Sequence, residues 1–70
     1  MYQRTEYERI RSVLDSADVD GPLTAREIAD LLEEHDVDID SAHRVATVLG
    51  RRARRGEVEV IDEQPYRYRV

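Results

Sequence analysis

The chain has no cysteine, no lysine, no phenylalanine and no tryptophan, and only three glycines and two prolines in 70 residues. Without cysteine, neither disulfides nor thiolate metal sites can staple so short a chain. Without Phe or Trp, the core must come from Leu, Ile, Val and four Tyr. Seventy residues make one domain, spanning 1–70, near the lower limit at which a single core suffices. Crude accounting for such a chain ends near zero net stability, so completion by a second copy is an expectation to test. No apolar run is long enough for a signal peptide or a membrane span. The expected location is the cytoplasm, with no membrane partner.

What is present is charge. All eleven basic residues are Arg, set against eight Asp and eight Glu, for a net charge of -5. An acidic, lysine-free composition resembles the proteome style of salt-loving archaea, although GC-rich coding also favours Arg over Lys. The distinction matters because the Debye length is only about 3 Å at 1 M salt, where net negative charge repels DNA weakly. The charge is unevenly spread. Residues 1–40 hold 12 acids and 4 Arg, residues 57–70 hold 4 acids and 2 Arg, and residues 41–56 hold 5 Arg and no acid.

Hydrophobic periodicity and capping signals predict three helices and a hairpin. Thr5 followed by Glu8 is a capping-box pattern, and Tyr7, Ile10, Val13, Leu14 and Ala17 then recur at helical spacing, giving a first helix over about 6–17. Gly21 and Pro22 stop it. A second box, Thr24 with Glu27, carries a Leu23–Ile28 staple and opens a helix over about 25–35 with Ile28, Ala29, Leu31 and Leu32 inward. Asp40 is the expected N-cap of a third helix over about 41–55. Its inward stripe is Ala42, Val45, Ala46, Leu49 and Ala53, and Gly56 stands at the C′ position. At about 100° per residue, the outer face presents His43, Arg44, Thr47, Gly50, Arg51 and Arg54. "EVEVI" and "YRYRV" alternate as half-buried strands over about 57–70. Tyr66 and Tyr68 are expected in the hairpin core. For both apolar sets to share a face, paired residue numbers must sum to an even value, so the loop is odd in length or the hairpin is bulged.

"LTAREIADLL", a turn, and then "SAHRVATVLGRRARRGEVEVI" together resemble the winged helix-turn-helix of small archaeal and bacterial transcription regulators. The resemblance covers about 5–70 and rests on the ordered combination of elements. It implies an α+β fold of three helices with a C-terminal two-stranded β-hairpin wing, binding double-stranded DNA with no cofactor. By that resemblance the third helix enters the major groove, the start of the second touches phosphates, and the wing lies along the backbone. His43, Arg44 and Thr47 would then read base edges, with Ser41 at the helix start. Arg51 and Arg54 would meet phosphate or guanine. Thr24 and Arg26 would take the second helix's phosphate role, and Gln64 and Arg67 the wing's. The turn over 36–40 is acidic and longer than the tightest helix-turn-helix connections. On the wing, Glu57 and Glu59 can pair across the strands with Arg67 and Arg69.

Other readings account for parts of the pattern. Arginines in a last helical turn complement the macrodipole, which explains Arg54 and Arg55 but not Arg44 or Arg51. "SADVDGPLTARE" matches several EF-hand positions at Asp18, Asp20, Gly21, Leu23 and Glu27. Ser16 and Pro22 break that pattern, and capping already explains Thr24 and Glu27. "DVDID" has Ser41 and Thr47 where Gly and Glu are needed. His35 and His43 fall in different elements, so no metal or catalytic role is expected. The competing function is a protein adaptor whose Arg face binds an acidic protein partner. A homodimer would form through the first helix, with Tyr2 either free or helping that helix pair with a second copy.

Overall fold

In the computed structural model, residues 5–19, 21–39 and 41–70 are described. Helix α1 spans Glu6–Ser16 and α2 spans Ala25–Glu34, and both capping boxes close. The Glu8 N–H donates to Thr5 Oγ1 over 3.1 Å while the Thr5 N–H donates to Glu8 Oε1 over 3.0 Å. Thr24 and Glu27 repeat the exchange at 3.1 and 2.9 Å. Each box satisfies two backbone donors that would otherwise lack partners. Its backbone and side-chain bonds from Thr24, helped by the nearby Arg67 charge, hold the Glu27 carboxyl below the usual carboxylate range.

Helix α3 spans Ala42–Arg54, and its N-cap is Ser41, whose Oγ accepts from the Arg44 N–H at 3.1 Å. The expected cap, Asp40, lies outside the described residues. All three helices end alike. Asp18, Asp36 and Gly56 stand one residue past their caps at φ 53, 57 and 80°. Their N–H groups bond Asp15, Glu33 and Ala53, and the next residues, Val19, Val37 and Glu57, reach back to Leu14, Leu32 and Arg52. That is the Schellman closure. At two ends an aspartate, Asp18 or Asp36, occupies the left-handed position that glycine takes at the third.

The core is a cluster of Tyr7, Ile10 and Val13 from α1, Ile28 and Leu32 from α2, and Val45, Val48 and Leu49 from α3, closed by Ile39, Val58 and Tyr68. Val48 joins a stripe from which the expected pattern omits it, while Ala42, Ala46 and Ala53 are only partly buried. Ile39 gives the acidic connection between α2 and α3 an apolar anchor.

Two strands, β2 (Glu59–Ile61) and β3 (Arg67–Arg69), form the expected hairpin, but the sheet has a third member. Leu23–Thr24 is strand β1, and the antiparallel order is β1-β3-β2. A cap residue must be extended, and Thr24 at φ -72° and ψ 161° is conformed to pair with Arg67. Glu59 faces Arg69, Val60 faces Tyr68 and Ile61 faces Arg67. Those pairs sum to an even number, and the loop over 62–66 is odd in length, as the alternation requires. The expected Tyr66 core position does not hold. Tyr68, on the central strand, is buried and its phenol pKa raised by desolvation, whereas Tyr66 in the loop is 53% exposed. Among the described residues the fold is therefore α+β, with three helices and a small three-stranded antiparallel sheet.

Candidate nucleic-acid interface

Helix α3 lays side chains outside the core in two rows. His43, Thr47, Gly50 and Arg54 recur at i, i+4, i+7 and i+11, and Arg44, Arg51 and Arg55 run beside them, with the buried Val48 interrupting that second row. His43, Thr47, Arg51, Arg54 and Arg55 are exposed, as is the cap Ser41. The Thr47 hydroxyl donates to the His43 carbonyl at 3.0 Å, which fixes its rotamer and leaves its oxygen able to accept.

The arginines divide by what they touch. Arg44 Nε donates to Glu6 Oε2 at 2.8 Å and Nη2 to Glu6 Oε1 at 2.7 Å, a two-bond fork across to α1. The fork holds the Glu6 carboxyl below its ordinary range, with smaller contributions from the charges of Arg44, Arg9 and Arg51. Arg52 lies 4.5 Å over the Tyr7 ring and 3.0 Å from Glu57, so it ties α1 to the start of the hairpin. Its side chain is only 24% exposed. By contrast, Arg51, Arg54 and Arg55 have no carboxylate partner among the described residues. Arg9 and Arg11 on α1 share that property, but they stand outside the acid-free segment.

The remaining expected site residues sit elsewhere. Thr24 is buried and its hydroxyl closes the α2 cap, while the exposed Arg26 lies 3.6 Å from Asp30. Gln64 is exposed in the hairpin loop. Arg67 reaches Glu63 at 3.1 Å, Glu27 at 3.6 Å and the Pro22 carbonyl at 3.5 Å, bridging the hairpin to the start of α2. Arg69 pairs with Glu59 at 2.8 Å, the cross-strand contact that alternation foretells. Glu57, however, turns to Arg52 rather than Arg67. Sequence spacing could not reveal the roles of Arg52 and Glu6, because their partners come from other elements.

Gly50 is half-exposed, and a Cβ built there meets nothing within 4 Å. Glycine inside a helix is about 0.8–1 kcal/mol less favourable than alanine. Gly50→Ala is therefore expected to raise the melting temperature by about 4–8 °C. A calorimetric scan checks this, and an unchanged or lower midpoint would mean that the face is not open.

Among the described residues, no group of three or more His, Asp or Glu could hold a metal ion, and no helix is long and apolar enough to cross a membrane. Tyr2, placed beside the first helix as a pairing surface, lies outside the described residues. No protein-family model matches the chain, and neither the curated proteins nor the solved structures provide a significant match.

Proposed function

We propose that the chain is a winged helix-turn-helix domain that binds double-stranded DNA through α3 and acts in transcription regulation. The observation that carries this reading is the set of exposed arginines on α3, Arg51, Arg54 and Arg55, that hold no carboxylate among the described residues, in a chain of net charge -5. An acid-rich protein ordinarily alternates signs on a solvated face. Here three guanidiniums of the acid-free segment, without a carboxylate among the described residues, suit phosphate oxygens or a guanine edge. The order of three helices followed by a hairpin fits the same reading. Within it, His43 and Thr47 lie at base edges, Ser41 lies at the helix start, and Arg26 lies near the backbone. The hairpin is a weaker phosphate clamp because Arg67 and Arg69 already hold carboxylates.

A second reading, an adaptor that binds protein, draws on Val60, Tyr66 and Val70. These are exposed at 39, 53 and 38%, and all stand on or beside the hairpin. An NMR titration with duplex DNA at moderate and molar salt separates the two. DNA binding predicts amide shifts concentrated in 41–55 that shrink as salt rises. Absence of shifts there at both salt concentrations sinks the DNA reading. Shifts confined to 58–70 on adding a co-purifying protein would support the adaptor.

A further inference from the structure

We propose that the Glu6 carboxylate competes with DNA phosphate for the Arg44 guanidinium, and so sets the affinity and salt dependence of the α3 surface. The inference rests on the DNA-binding reading of α3. Its basis is the fork itself. Arg44 presents Nε and Nη2 to the two oxygens of Glu6 at 2.8 and 2.7 Å, the arrangement a guanidinium adopts on a phosphate. One edge of a guanidinium cannot serve two anions at once.

The location suits competition. Glu6 opens α1 and Arg44 lies in the first turn of α3, 38 residues later, so the folded chain holds them together. Both side chains are partly open to solvent, 35% for Glu6 and 57% for Arg44, so an incoming phosphate can reach the pair. Two parallel charged hydrogen bonds hold this pair more firmly than an ordinary exposed ion pair, so Glu6 keeps the fork in the wild-type protein. A phosphate must displace that carboxylate to take the same fork, so its counterion release is gained only when Glu6 is removed. Glu6 also feels the charge of Arg51, so the same carboxylate damps the row that continues along α3. While Glu6 holds the fork, Arg44 adds nothing to the count of phosphate contacts.

The test uses the full chain and a mixed-sequence duplex followed by fluorescence anisotropy across a salt series, for wild type, Glu6→Gln, Arg44→Gln and the double variant. Glu6→Gln is expected to tighten binding several-fold and steepen the log–log salt slope by about 0.9, one additional phosphate contact. Arg44→Gln alone should leave the slope unchanged, and the double variant should return to the wild-type slope. A Glu6→Gln slope equal to wild type overturns the inference. So does tightening that persists undiminished in the double variant, which marks simple loss of repulsion. A lower slope for Arg44→Gln also overturns it, because Arg44 would already sit on phosphate. If Arg51→Ala weakens binding while Glu6→Gln changes nothing, the competition fails and the DNA reading stands. If neither wild type nor Glu6→Gln binds duplex at any salt, both fall. Far-UV melts of each variant confirm that the proteins compared are folded.

Discussion

Leu49→Ala is expected to leave the domain largely unfolded at room temperature. Leu49 has no solvent exposure and belongs to the cluster that joins all three helices to the sheet. Truncating a buried leucine costs about 2–5 kcal/mol through lost transfer energy and the cavity left behind. A core of this size rarely supplies more than about 3–5 kcal/mol in total. The single change therefore approaches the whole stability of the molecule. Leu49→Met, which nearly conserves volume, should cost less than about 1.5 kcal/mol and remain folded. Far-UV circular dichroism with thermal melting reads both. A Leu49→Ala protein that keeps a cooperative melt near the wild-type midpoint would mean that the core is not centred on α3. The adjacent Gly50→Ala change acts in the opposite direction, so two neighbouring alanines report the two sides of one helix.

Removing Arg51 and Arg54 together is expected to abolish most duplex affinity without unfolding the protein. Neither side chain holds a carboxylate among the described residues, so their loss leaves no buried charge behind. A charged hydrogen bond contributes about 1.5–3 kcal/mol, so each contact is expected to change affinity by roughly tenfold to a hundredfold. The pair should lower affinity at least about a hundredfold and reduce the salt slope by about 1.8, at about 0.9 per phosphate. Arg69→Gln serves as the comparison, because it removes the same charge from a guanidinium already paired with Glu59. Equal losses for Arg69→Gln and Arg51→Ala would reduce the effect to net charge. A double variant that binds like wild type would end the DNA reading of this helix.

Legibility in the sequence followed the distance between interacting groups. The capping boxes at Thr5 and Thr24 close over three residues, so they can be read along the chain. The parity of the hairpin pairing followed from alternation, because a one-residue slip would place Glu59 opposite Tyr68, whereas the choice among even registers came from the folded chain. The Schellman ends at Asp18 and Asp36 were hidden, since only glycine advertises a left-handed residue. Strand β1 was hidden because two residues carry no period, and Leu23 and Thr24 already had a complete explanation as staple and cap. Ile39 was obscured by the acids around it in "DVDID", although its burial anchors the turn before α3.

The arginines mark the boundary most clearly. Composition alone determines that residues 41–56 hold every local excess of positive charge, and helical projection places Arg44, Arg51 and Arg54 outward. Only the folded chain decides which of them retain an available charge. Glu6 takes Arg44, Tyr7 and Glu57 take Arg52, and Glu27 and Glu63 hold Arg67. The physical reason is the range of the forces. Caps and periodicity are local and survive in a linear reading, whereas most of these pairings join residues brought together by packing the helices and sheet around one core.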